Sequence, residues 1–194
     1  MEDAASGNMS FRPELMGPHL ASIAIALLLA VAAWKRPNLG RALFVVLFAL
    51  ASLLNTYVAL TAPDQYLDYA KLTESPVYRA IILGPFARHI VEYVLAIACG
   101  QAMIALGLTM RGLLARGAAV GGIVFLVAIA PLGVGSAFPS SLILAGGLAV
   151  LLRRGLDETL LGVLHLRRAR SSARPSSRAR ARSPRRAPRP SRRT

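Results

Sequence analysis

The chain has 194 residues, 55 % of them hydrophobic and only 16 % charged, with a mean hydropathy of +0.52. Soluble domains carry about 45–50 % apolar and about 25 % charged residues, so this apolar excess, gathered in blocks, excludes an ordinary soluble protein and points to an integral membrane protein. The net charge of +14 is a property of the C-terminus: residues 167–194 hold 12 arginines and no acid, which leaves 11 basic and 9 acidic residues in 1–166.

Residues 1–17 are polar and slightly acidic, with Glu2, Asp3, Arg12 and Glu14. An apolar run over 18–34 follows. Acid before it and Lys35-Arg36 after it reverse the charge order of a cleavable signal peptide, and Ser22, Ala26 and Ala30 recur at helical spacing, so it is read as a retained span. A short basic turn through Arg41 leads to a second span over 42–62, whose face of Phe44, Phe48, Ala51, Ser52, Asn55, Ala59 and Ala62 is expected to pack inward. Residues 63–87 form the one sizeable polar loop. Pro63-Asp64 is read as the start of a short surface helix and Ser75-Pro76 as its end.

The central span is 88–110, about 34 Å long as a helix and enough for a ~30 Å hydrocarbon core. At 100° per residue His89, Glu92, Ala96, Cys99, Gly100, Met103, Gly107 and Met110 share one stripe, expected to be the face that another helix approaches. Gln101 lies opposite, near mid-membrane depth, and needs a partner elsewhere. Cys99 is the only cysteine, so no intrachain disulfide exists. A second basic turn, Arg111–Gly117, precedes a charge-free run over 118–152. As one helix that run would be about 52 Å, too long for one crossing, and the segment Pro131–Pro139 divides it into spans at 117–135 and 139–153. Gly117-xxx-Gly121 and Ala145-Gly146-Gly147 are expected at close helix contacts. Residues 155–166 have leucines near helical spacing and read as an interfacial helix.

The tail can bury no core and is expected to be disordered. Its Arg167, Arg168, Arg170, Arg174, Arg178, Arg180, Arg182, Arg185, Arg186, Arg189, Arg192 and Arg193 suit anionic lipid, up to about 1 kcal/mol per basic residue; nucleic-acid phosphates are the second, less favoured partner. The sequence therefore predicts an all-α, polytopic transmembrane bundle of about five spans with the N-terminus outside. In that topology the basic turns, Arg153-Arg154 and the tail lie on the cytoplasmic side, as the positive-inside rule requires.

Few residues offer chemistry. An ionisable residue within a span is costly and usually has a partner or a watery cavity, which singles out Glu92. It either pairs with Arg88 one turn earlier or joins Asn55, Tyr57, His89 and Tyr93 in an outward-facing pocket roofed by the tyrosine-bearing loop. His89 and Glu92 are two ligands short of a metal site. No phosphate loop, nucleophile elbow, cofactor motif or catalytic constellation is present.

The order of features over 41–154 resembles the DoxX-like family of small bacterial membrane proteins. The matching pieces are Arg41, Pro63-Asp64-Gln65-Tyr66, the small-residue stretch from Ala98-Cys99-Gly100-Gln101 to Gly107-Leu108, the turn Arg111–Gly117 and the paired spans around Pro131–Pro139. The span over 18–34 and the arginine tail depart from that four-span pattern. The resemblance implies a multi-pass helical bundle of a bacterial membrane; some relatives are associated with quinone-linked sulfur oxidation or redox protection, and most have no defined activity. It transfers no catalytic residue. With no catalytic constellation of its own, the chain is read first as an accessory or interaction subunit in the bacterial inner membrane, with a redox-linked complex as the setting and a membrane-protein partner or a second copy bound to it. A small-solute or proton-coupled carrier using Glu92, Asn55 and Gln101 is the alternative function, and a quinone-linked oxidoreductase the third.

Overall fold

The computed structural model describes residues 13–136, 138–154, 156, 157 and 160. The expectations for the N-terminal segment before residue 13, for most of the interfacial helix at 155–166 and for the arginine tail lie outside those residues.

Every described element is helical, and no strand occurs among the described residues. The α-helices are α1 (Pro13–Lys35), α2 (Pro37–Thr61), α3 (Tyr69–Leu72), α4 (Pro76–Ile81), α5 (Ile90–Thr109), α6 (Leu113–Ile129) and α7 (Ser140–Arg154). Of these, α2, α5 and α6, the last with its extension to Gly133, are long and apolar enough to cross a membrane. The apolar part of α1, His19–Lys35, and the 15 residues of α7 are shorter.

The five longer helices close a ring in the order α1, α2, α5, α6, α7 and back to α1. The core at its centre holds Phe44 and Phe48 of α2, Ile104 and Leu108 of α5, Leu126 of α6, and Leu148 and Leu151 of α7. Phe48 meets Phe125 edge-on, with ring centroids 6.4 Å apart. Ala26 and Ala33 are fully buried on the face of α1 that contains Ser22, and Ser22 Oγ lies 3.1 Å from Ser140 Oγ of α7. At the other ends of the same two helices Arg154 stacks over Trp34, 5.2 Å from the ring centroid, so α1 and α7 run parallel.

Large apolar side chains cover the outside of the ring. Leu28, Leu53, Leu54, Leu60, Met103, Leu106, Leu113, Leu114 and Val124 are all more than 60 % exposed. Water would not tolerate so much apolar surface on a monomer. A hydrocarbon solvent does.

The turns explain themselves locally. Pro37 opens α2 at a first-turn position where its missing N–H costs nothing. A Cβ on Gly40 would stand 2.5 Å from the Ala33 backbone, so only glycine lets the start of α2 lie against the end of α1. Pro63 ends α2 and opens a 3-10 turn, Pro63–Asp68, that runs into α3. Ser75 does not merely end that helix: its Oγ accepts from Tyr78 N at 3.4 Å and caps α4. A π-helical turn, Ile82–Phe86, then bends at Gly84-Pro85 toward α5. The charge-free run breaks where the prolines predict, with α6 ending at Ile129 and a 3-10 segment, Ala130–Ser136, preceding α7. Within that segment Gly133 has φ +68°, and its Cα faces the Leu72 carbonyl so closely that an added Cβ would lie 2.9 Å from it.

One end of the ring collects the basic turns. Arg41, 3 % exposed, donates through Nε to the Leu108 carbonyl at 2.6 Å and through a second nitrogen to the Met110 carbonyl. Gly112 N donates to the Leu156 carbonyl at 2.8 Å, and Arg116 pairs with Asp157 at 3.0 Å. With Lys35, Arg36, Arg111, Arg153 and Arg154 adjoining these contacts in the chain, seven basic residues of the bundle lie at that end. The loop of 63–87 lies at the other.

Candidate functional site

Helices α2 and α5 form the most extensive pair in the ring, and a line of polar contacts runs down their seam. At the basic end Arg41 of α2 satisfies carbonyls at the C-terminus of α5, which otherwise lack intrahelical donors and carry the negative end of the helix dipole. Further up, Ser52 Oγ donates to the Ala98 carbonyl at 2.7 Å. Next, Asn55 Nδ2 donates to Gln101 Oε1 at 2.8 Å. Gln101 is only 4 % exposed. Finally Tyr66, in the 3-10 turn after α2, folds back to donate its O–H to Asn55 Oδ1 at 2.9 Å. Tyr66, Asn55 and Gln101 thus form a directed chain, each member donating to the next. Such a chain inside an apolar bundle satisfies groups that hydrocarbon cannot.

Tyr69 flanks this chain, its ring centroid 6.0 Å from that of Tyr66. Burial pushes the Tyr69 phenol above its ordinary range; burial first, and then the neighbouring Tyr69, do the same to Tyr66. Both phenols stay protonated donors at neutral pH.

The expected outer pocket is distributed differently. Asn55 meets Gln101 and Tyr66, the mid-depth partner that Gln101 required being Asn55 itself. Glu92 stands exposed at the start of α5 with its Oε1 3.6 Å from His89 Nδ1, and among the described residues it makes no ion pair with Arg88. Tyr93 is 45 % exposed and stacks on Phe86 at 5.7 Å, and Tyr57 is 65 % exposed on the outside of α2. Of the three residues that a carrier would use, Asn55 and Gln101 meet each other, Gln101 being buried, whereas Glu92 is exposed and faces His89. Among the described residues no group of three or more His, Cys, Asp or Glu side chains is placed to hold a metal ion. Tyr66 was missed as a site residue, although Pro63 signals a turn that returns the chain to α2 within one helical turn.

The small-residue stripe of α5 is not the face that packs on α2. The buried face of α5 is Ile90, Val94, Ala98, Gln101, Ile104, Ala105 and Leu108, on the Gln101 side. Of the stripe's two glycines, only Gly107 meets a close neighbour, the Ala118 Cβ of α6, 2.6 Å from where a Cβ on Gly107 would stand. Cohesion within the ring has used the Gln101 face of α5, because unsatisfied polar groups cost more in hydrocarbon than unpacked alanines and glycines. The C-terminal half of the stripe forms one wall of an open groove of about 700 Å³ between α5 and α6, lined by Gly100, Met103, Gly107 and Met110 on one side and Gly117, Ala118, Gly121 and Val124 on the other. A Cβ added at Gly100 or Gly117 meets nothing within 4 Å. The close contacts expected of Gly117 and Gly121 fall instead at Gly122, against Leu148 and Phe48; those expected of Ala145-Gly146-Gly147 are made by Gly147, against Phe44 and the Ala30 backbone.

Compared with protein-family models, with curated proteins and with solved structures, the chain finds no match in any of the three.

Proposed function

We propose that the chain is a five-span protein of the bacterial inner membrane, N-terminus outside and tail cytoplasmic, that serves as an accessory or interaction subunit by presenting its α5–α6 groove to a transmembrane helix of a partner protein. The observation that carries this is the groove: glycines from both helices lie open along an apolar face, where a partner backbone can approach closely. The polar side chains of the α2–α5 seam are directed at one another, so the surface left for association is the small-residue one.

The orientation is supported by the clustering of basic turns at one end of the ring, which the positive-inside rule places in the cytoplasm. At about 22 Å, α7 is short for a crossing; Arg153 and Arg154 at its end can snorkel to the interface. The DoxX-like likeness of residues 41–154 suggests a redox-linked complex as the setting, and the tail adds anionic-lipid contact on the cytoplasmic face.

Reporter fusions after Thr194 and within Asp64–Ser75 are expected on opposite sides of the membrane; the same side for both refutes the five-span topology. Copurification in mild detergent is expected to yield a membrane-protein partner whose recovery is lost in Gly117→Leu, a substitution into open space that leaves the fold intact. Recovery unchanged by Gly117→Leu refutes the groove.

A further inference from the structure

Away from the α5–α6 groove, the loop that joins α2 to α5 surrounds a separate cleft of about 410 Å³, lined by Leu67, Asp68, Ala70, Lys71, Arg79 and Leu83. Arg79 is held in place by the backbone: Nε donates to the Ala70 carbonyl at 3.1 Å and Nη2 to the Thr73 carbonyl at 3.0 Å. A guanidinium has five N–H donors, so three remain beyond those two bonds. The segment beneath it is itself anchored, since Thr73, 1 % exposed, donates to the Pro131 carbonyl at 2.6 Å and Tyr78 to the Ala128 carbonyl at 2.6 Å. Arg79 is therefore pre-positioned. Lys71 stands on the same cleft, its Nζ 2.7 Å from Asp68 Oδ1, with both side chains well exposed. Two cations and one carboxylate thus line the cleft.

The remaining lining is apolar, and the adjoining edge is more so: Val77, Ile81 and Leu83 are 63 %, 47 % and 60 % exposed. At the end of a bundle whose sides already face hydrocarbon, such an edge sits at headgroup level, where apolar side chains dip into the acyl boundary and basic ones meet phosphates. A free phosphate would use the cations and leave the leucines idle. A neutral apolar molecule would leave Arg79 idle.

We propose that this cleft is a binding site for an anionic phospholipid, whose phosphodiester is taken by Arg79 and Lys71 and whose acyl chain lies along Leu67 and Leu83. The planar fork of Arg79 matches two phosphate oxygens, and Asp68 keeps the Lys71 ammonium at the rim. The site is independent of the groove and of any partner there.

The test uses the full-length protein in phosphatidylcholine nanodiscs with a trace of photoactivatable phosphatidylglycerol, and maps the adducts by mass spectrometry. Adducts are expected to concentrate in residues 67–83, apart from any formed with the tail. They should fall about fivefold in Lys71→Gln, the effect of one basic charge at a membrane surface, and by a similar factor in Leu83→Asn. Both side chains are exposed, so neither change threatens folding. Unlabelled phosphatidylglycerol should displace the probe and millimolar inorganic phosphate should not. Adducts in 67–83 no denser than on the outside of α6, or unaltered by Lys71→Gln, overturn the proposal. Displacement by inorganic phosphate overturns it too, making the cleft a phosphate site.

Discussion

Removing Asn55 should damage the protein more than its only partly buried position suggests, because it sits between two other polar groups. In Asn55→Leu, Gln101 Oε1 loses its 2.8 Å donor and the Tyr66 hydroxyl its 2.9 Å acceptor. A buried group left without a partner costs about 1–3 kcal/mol, and Gln101 is the buried one, so a loss of about 2 kcal/mol is expected from Asn55→Leu. Gln101→Leu strands only the Asn55 amide and should cost about 1 kcal/mol. With both replaced by leucine nothing polar is orphaned at mid-depth, so the double variant should be less damaged than the two single losses combined. Hydrogen bonds between membrane helices couple by about 0.6 kcal/mol on average and about 1.7 at most, and a coupling of about 1 kcal/mol is expected here. Reversible unfolding in mixed micelles, with wild type, both single variants and the double variant, gives the cycle. Losses that add to within about 0.3 kcal/mol would refute the hydrogen-bonded seam.

Arg41→Leu leaves the Leu108 and Met110 carbonyls without this donor and should cost about 2–3 kcal/mol, the penalty of unsatisfied buried acceptors; Arg41→Lys should recover only part of this in the same unfolding assay, since an ammonium cannot reproduce the fork. Gly122→Ala forces a Cβ to 2.8 Å from Leu148 and should destabilise by about 1–3 kcal/mol, whereas Gly146→Ala, which meets nothing within 4 Å, should be neutral or slightly stabilising. The Tyr66 and Tyr69 phenols lie above their ordinary range, so above about pH 10 the unfolded chain releases protons that the folded chain keeps, and stability falls as pH rises there; tyrosinate absorbance should show a late-titrating phase that Tyr66→Phe and Tyr69→Phe each diminish. Glu92→Gln, at an exposed site, should leave stability within about 0.5 kcal/mol of wild type and keep the partner; loss of the partner with the fold intact would restore the outer-pocket reading.

Much of the fold was legible because it follows from one-dimensional signals. Charge-free runs and the prolines at 63, 131 and 139 located the five longer helices, and the periodic face of α2 from Phe44 to Ala59 is the buried one; but α2 already starts at Pro37 and α6 at Leu113, inside the stretches read as basic turns, because a basic residue at a membrane end does not itself break a helix. The site was harder. Periodicity identified two faces of α5, the small stripe and the Gln101 side, yet which of them turns inward depends on the partner helix. Asn55 of α2, at matching depth, decided it. Glu92 shows the opposite error: one turn from a helix start, a carboxylate is near enough to water to stay solvated, and His89 was closer than Arg88. Tyr66 and Thr73 act through contacts that cross from the loop to other elements, and no local spacing reports these. Gly121 and Gly122 differ by 100° of helix rotation. That angle separates an open groove from a packed core.

The central claim is that the α5–α6 groove receives a helix from another protein. A photocrosslinking residue placed at Met103, on the groove, and in a second variant at Leu53, on the outside of α2, tests it in the native membrane. The account predicts a discrete protein adduct from Met103, absent from Leu53 and abolished by Gly117→Leu. Equal labelling from both positions, or an adduct of twice the chain's own mass, would contradict it.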